Sequence, residues 1–408
     1  MKNKRLNIIV DSEKSEFLNG TIKLCEFEYP IFLPKNVSIR YCSVEDITHD
    51  ENYFLFIKHN DITALNVELI KGFSKEIKNA ISNQSLNIVY FSPHESPPNL
   101  EEVIKILTNT IKLNNWKESQ FYIINNNSLI NRVKEKFNSN MNFFKMSCLL
   151  RVLSSMTRPI VSEKDICFDK KFIFLCLNRN PNASHRIALL SYLKNLKLLE
   201  NDITDWSWAR GYNETAVNIQ SIKHIKKYID ISNKTLIKDY LEIAKSKKLS
   251  FYEQNVNWFE KEIYYWIPDK HTTLNSFKNS YINIITESDF DFVENNLAIT
   301  EKTYRPFYYF QMPVFLARPG HVNSLKNEFD LYLFDDLIDH SYDNEKDDTN
   351  RFHMVVNEIK RLSNMRKEIS EYYKNNIEKL IHNHNFIKRY ADKQIEENYF
   401  LQLLNKNI

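Results

Sequence analysis

The chain of 408 residues carries 55 Lys and Arg against 52 Asp and Glu, a net charge of +3, and is 43% hydrophobic and 26% charged. That length accommodates two domains with separate cores, and so small a net charge gives no electrostatic footprint for nucleic acid. No apolar run approaches the ~20 residues of a bilayer span, four glycines in all exclude a Gly-rich dinucleotide fingerprint and a Walker loop, and five scattered cysteines make no Cys-x-x-Cys pair for zinc or disulfide framework.

The first segment, Leu6–Val10, reads as a strand and not as a signal peptide, since its apolar run is only a stub. With the cysteine pattern, this sets the expectation of a reducing, cytoplasmic location. Short apolar runs at Tyr53–Ile57, Leu86–Phe91 and Phe121–Ile124 predict further strands, and apolar spacing near Val67–Ile81 and Leu100–Leu113 predicts helices between them. Strands alternating with amphipathic helices argue for a parallel α/β sheet. After a polar passage at Ser154–Lys170, Lys171–Leu177 reads as a buried strand and Ser184–Leu198 as its helix. Tyr281–Thr286, dense in β-branched and apolar residues, starts another unit, which Pro313–Ala317 and Leu331–Phe334 complete as strands. Asp343–Asn350 reads as an acidic, solvated loop, and Phe352, Val355, Ile359, Leu362, Ile369, Tyr373, Ile377 and Leu380 mark one long amphipathic helix. The expected architecture is α/β: a Rossmann-like domain over 1–160, a second over 161–345 facing it across a cleft, and helices over 346–408 packing on the body.

Three clusters fall at strand ends, where such folds bind ligands. In Ser92-Pro93-His94-Glu95-Ser96-Pro97-Pro98, prolines stiffen the turn that carries His94 and Glu95, and a carboxylate fixed there can serve as a general base. In Asn178-Arg179-Asn180-Pro181-Asn182-Ala183-Ser184-His185-Arg186, Ser184 or Asn182 can cap the coming helix. Arg179 and Arg186 then sit near its positive end, an electrostatic oddity without an anion, while His185 reads as a packing or hydrogen-bonding residue. The third cluster is Thr300-Glu301-Lys302, preceded by Glu287, Ser288 and Asp289. Thr300 reads as an N-cap; Lys302 opposes the helix dipole by roughly 0.3–1 kcal/mol, and a bound anion reverses that sign. The two basic helix starts can clasp one diphosphate, with Glu301 accepting from a ribose. Trp206 and Trp208 are candidates for an acceptor side as well as for the core. His382 and His384, spaced i,i+2, diverge on a helix and make no metal pair.

At these clusters the sequence resembles the family-10 glycosyltransferases, the α-1,3/1,4-fucosyltransferases. Asn180-Pro181-Asn182-Ala183-Ser184-His185-Arg186 is similar to that family's Asn-Pro-Asn-Ala turn and following arginine. Thr300-Glu301-Lys302, between a strand and the later Pro313, is similar to its Thr-Glu-Lys helix start, and Glu95-Ser96-Pro97 to its Glu-Ser-Pro turn. The likeness spans roughly residues 85–340 and departs from the family at Glu287-Ser288, where the family has Glu-Asn, and at Arg305-Pro306. It implies a GT-B fold and an inverting transfer of a sugar, fucose from GDP-fucose, to a glycan hydroxyl, with no essential metal or other cofactor. Residue by residue it implies Glu95 as base, Arg186 and Lys302 on the diphosphate and Glu301 on the ribose, with Arg179, Asn180, Thr300, Glu287 and Ser288 around them. Asp289-Phe290-Asp291 resembles the Asp-x-Asp of metal-dependent sugar transferases, but the two-sheet organisation argues against that class. Two alternatives stand beside this reading: another nucleotide sugar on the same fold, or a nucleotide- or carbohydrate-binding protein without turnover.

Overall fold

The computed structural model describes residues 4–9, 37–48, 50–58, 73–92, 100–125, 127, 129–145, 161–178, 184–200, 202–208, 226–246 and 272–396. The chain divides into two compact units, one of residues 1–154, 293–299 and 390–408, the other of 155–292 and 300–389.

The first unit is built on a parallel sheet of strands β1 (Lys4–Ile9), β2 (Val37–Cys42), β3 (Tyr53–Lys58), β4 (Leu86–Ser92), β5 (Phe121–Asn125) and β6 (Asn142–Lys145), in the order β2-β1-β3-β4-β5-β6. Continuous apolar runs form these strands because helices leave no wet face to require alternation. Helices α1 (Lys75–Ser82), α2 (Leu100–Leu113) and α3 (Ile130–Phe137) supply the covering residues. On α2, Leu100, Val103, Ile104, Leu107 and Ile111 repeat every three or four positions and are buried against Ile88 and Ile123 of the sheet. The expected helix near Val67–Ile81 begins only at Lys75, where Ser74 caps it by accepting from Ile77 N at 3.3 Å; residues 59–72 lie outside the described ones.

A segment distant in sequence completes this unit. Asn127, fully buried, donates from Nδ2 to the Asn295 carbonyl at 2.9 Å and accepts Leu297 N at its Oδ1 at 3.1 Å. Asn127 also makes an antiparallel bridge to Ala298.

The second unit holds a parallel sheet of β7 (Phe172–Asn178), β8 (Thr204–Trp208), β9 (Ser280–Thr286) and β10 (Met312–Leu316), in the order β10-β9-β7-β8. Counted from its own first strand the order is 2-1-3-4, the same progression with which the first sheet begins. Pro313 is tolerated because β10 lies at the sheet's edge. Helices α4 (Ser184–Asn195), α5 (Lys234–Lys245), α6 (Thr272–Lys278), α7 (Glu301–Tyr308) and α8 (His321–Glu328) follow or precede these strands. The two Rossmann-like parallel sheets and the helices of the last third are the α/β architecture expected from the sequence. Among the described residues no helix is long and apolar enough to cross a membrane.

Three expectations in the last third are corrected. Leu331–Phe334 is not a strand: Phe334 adopts φ 64°, and the side chain of Asn383 takes the place of a neighbouring strand. Its Oδ1 accepts Tyr332 N and its Nδ2 donates to the Tyr332 carbonyl, both at 2.8 Å. Asp343–Asn350 is solvated only in part, with Asn344, Lys346, Asp347 and Asn350 exposed. Asp343 is buried and accepts Val322 N and Asn323 N at 2.9 Å, capping α8, while Asp347 caps the next helix through Asn350 N. That next helix is not one long rod but α9 (Asp348–Ser363), α10 (Arg366–Asn375) and α11 (Ile377–Glu396). The breaks fall at Asn364 and Asn376, whose amide side chains donate back to the carbonyls of Lys360 and Tyr372 at 2.9 Å, competing with the helical ladder.

A buried cation ties these helices to the sheet. Lys170, just before β7, donates from Nζ to the Lys278 carbonyl at 2.7 Å and lies 4.8 Å from the centre of the Tyr373 ring on α10. Burial pulls its ammonium down to about 7.

Candidate functional site

In the second sheet the chain runs from β7 outward to β8 and then crosses to β9 on the other side. The topological switch point therefore lies between the carboxyl ends of β7 and β9, the place where open parallel sheets bind ligands. Asn178 ends β7 and Thr286 ends β9, and they meet there, Thr286 Oγ1 donating to Asn178 Oδ1 at 2.5 Å.

The first turn of α4 seals the end of β9. Arg186 is buried, and its Nη2 donates to the Thr286 carbonyl at 3.1 Å. Beside it, His185 Nε2 lies 3.0 Å from the Glu287 carbonyl and its ring stacks on Phe290. Burial pushes His185 down to about 3, aided by the Arg186 charge, so the ring is neutral and Nε2 carries the proton it gives that carbonyl.

The start of α7 faces the same end. Glu287 is 1% exposed, and three donors converge on its carboxylate: Thr300 N at 3.3 Å, Thr300 Oγ1 at 2.6 Å and Thr303 Oγ1 at 2.5 Å. A buried carboxylate needs that many partners, and the positive end of a helix adds to their field. Thr300 is the N-cap, its Oγ1 accepting Lys302 N at 3.2 Å. The Lys302 ammonium folds back over the helix start, 3.4 Å from both Ser288 Oγ and Thr300 Oγ1.

Beyond this cluster the charges are engaged in pairs. Asp289 meets Arg318 at 3.3 Å, and Asp291 meets Lys227 at 3.0 Å and the Tyr228 hydroxyl. Arg351, buried over the Phe290 ring, donates to the carbonyls of Ala317, Glu345 and Phe290 and to Asp348. Among the described residues no group of three His, Cys, Asp or Glu side chains gathers as a metal site would.

The structure thus brings Arg186, Glu287, Ser288, Thr300 and Lys302 together at one strand end. Glu301 opens α7. Glu95, His94, Arg179 and Asn180 lie outside the described residues. Trp206 and Trp208 sit on the edge strand β8; Trp208 is fully buried and packs as core, whereas Trp206 is half-buried. His382 and His384 bond separate carbonyls, those of Asp330 and Tyr308. Sequence reasoning gave no role to Asn178, Thr286, Thr303 or His321. The signal was present for the first two, the polar residues that close strands β7 and β9.

No protein-family model matches the chain, and a sequence search among characterised proteins finds no match either. Among solved structures, the chain is similar to an α,α-trehalose-phosphate synthase (UDP-forming) from Burkholderia vietnamiensis, with a TM-score of 0.43 and 8% identity over 99% of this chain and 100% of that one.

Proposed function

We propose that this chain is a glycosyltransferase of the GT-B class, with the diphosphate of a nucleotide-sugar donor at the carboxyl ends of β7 and β9. The observation that carries this reading is the Lys302 ammonium over the capped N-terminus of α7, 3.4 Å from Ser288 and Thr300. A helix start and a lysine together meet the negative charge that develops on a leaving diphosphate. Arg186 acts at one remove in this reading: bonded to the Thr286 carbonyl, it fixes the end of β9 and adds positive potential beneath the anion. Glu95 is the general base, deprotonating an acceptor hydroxyl as that oxygen attacks the anomeric carbon from the face opposite the diphosphate. The resemblance of the Asn180–Arg186 and Thr300–Lys302 segments to family-10 enzymes supports GDP-fucose as donor and a glycan as acceptor.

Thermal unfolding with GDP, UDP, CMP and ADP, on wild type and Lys302→Ala, tests the donor site. A nucleotide at 100 times its Kd stabilises the fold by about 2.7 kcal/mol. A GDP-specific rise in Tm that shrinks in Lys302→Ala is expected. A rise with UDP alone replaces the donor, and no rise with any nucleotide overturns the reading. Glu95→Gln is expected to lower transfer by about 10²–10⁴ while the nucleotide-induced shift persists; full activity in that variant removes Glu95 from the mechanism.

A further inference from the structure

Thr303 has one hydroxyl proton and two neighbours. Its Oγ1 donates to Glu287 Oε1 at 2.5 Å, and His321 Nε2 lies 2.9 Å from the same oxygen. The Glu287 carboxylate can only accept, so the Thr303 proton goes to it. The bond to His321 must then run the other way, from Nε2–H into the hydroxyl oxygen. That fixes the tautomer: Nε2 protonated, Nδ1 a bare lone pair. The rest of the site agrees, for His321 Nδ1 meets no hydrogen-bond partner among the described residues, and a buried lone pair is tolerated better than a buried orphan N–H. The ring is 1% exposed and packed on Phe315, and burial lowers its basicity, favouring the neutral form.

His321 is the first residue of α8, set by Gly320, which adopts φ +82°. The relay His321–Thr303–Glu287–Thr300 therefore ties the helix that follows β10 to the loop that ends β9 and to the first turn of α7. Lys302 lies between the two threonines of that relay. We infer that His321 is a positioning residue that holds the first turn of α7, and with it the Lys302 ammonium, through a directed Nε2–H bond to Thr303. The link to ligand binding rests on the donor site proposed above.

The test compares His321→Phe, which fills the space without a donor, with His321→Gln, whose Nε2 can restore the bond. Binding of GDP and UDP is titrated for wild type, both variants, Lys302→Ala and the His321→Phe/Lys302→Ala double variant. His321→Phe is expected to weaken nucleotide binding about tenfold, the upper range for one directed hydrogen bond. His321→Gln is expected to recover most of that loss, and Lys302→Ala to make the His321→Phe effect vanish, because both act on one group. Undiminished binding by His321→Phe, or effects that simply add, overturns the inference. The nitrogen shifts of uniformly ¹⁵N-labelled protein give an arm that needs no nucleotide. An Nε2–H tautomer, and a Thr303 amide signal displaced in His321→Phe and restored in His321→Gln, are expected; an Nδ1–H tautomer overturns the relay. If wild type binds neither nucleotide, the donor site fails, and this second arm alone decides whether His321 holds α7.

Discussion

Three donors converge on the Glu287 carboxylate, and that count decides what a substitution there does. Glu287→Gln keeps the shape but turns one acceptor oxygen into an NH₂ that faces a donor. A buried donor pair left in that state costs about 1–3 kcal/mol. Urea unfolding of Glu287→Gln is expected to show such a loss with an unchanged m-value, and an unshifted midpoint would mean that the network contributes nothing. The cap at Thr300 was legible in the sequence, because a hydroxyl residue followed by an acid is what a helix start needs. Apart from the family resemblance, Glu287 was legible only as a polar residue after a strand. Its burial depends on Thr303 and on the position of α7, which no local pattern encodes. The same holds for Arg186: an arginine near a helix start suggests an anion, yet in the fold its guanidinium meets the carbonyl that ends β9.

Elements were read well where their apolar pattern was continuous or helical. Leu100–Leu113 is found with the expected bounds, and β3, β4, β5, β7 and β9 match their runs to within one residue at either end. The failures have a common physical origin, side chains that replace backbone partners. Asn383 serves both backbone groups of Tyr332, so an apolar run that resembles a strand needs no sheet. Asp343 does the equivalent for a helix, accepting two amides of α8 from within a run of acids that looked solvated. Asp343→Ala leaves those amides without their acceptor and removes negative charge from a helix N-terminus. The expected loss is about 1–2 kcal/mol, with faster amide exchange at Val322 and Asn323. Unchanged exchange there would show that α8 is held by packing alone.

At the scale of the whole molecule, one buried ammonium makes stability depend on alkaline pH. Burial lowers Lys170 from 10.5 to about 7 in the folded protein. Below pH 7 both states bind the proton and the folded state bears the full penalty; between about 7 and 10.5 only the unfolded state binds it, so this contribution to stability rises with pH. Lys170→Met is expected to flatten the dependence of Tm on pH over that window relative to wild type. An equal slope in both proteins would show that the Lys278 carbonyl and the Tyr373 face keep the ammonium charged throughout. The parallel α/β character of both sheets was legible at this scale from continuous apolar runs. Nothing local in the sequence marks 293–299 as part of the first unit, which it joins through Asn295 and Leu297 bonded to Asn127, Asn295 bonded to Glu101, and Leu297, Ala298 and Ile299 buried.

That attachment bears on how the protein is made. The partners of Asn127 lie 168 and 170 residues further along the chain. At a synthesis rate of about 5–20 residues per second, a ribosome needs on the order of 10–30 s to reach them after Asn127 is added. Through that interval the nascent first unit has its sheet strands but not this strap, with a polar side chain that the finished fold encloses completely. Residues 155–292 of the second unit are made before this strap, so the first unit is completed only after much of the second has been synthesised.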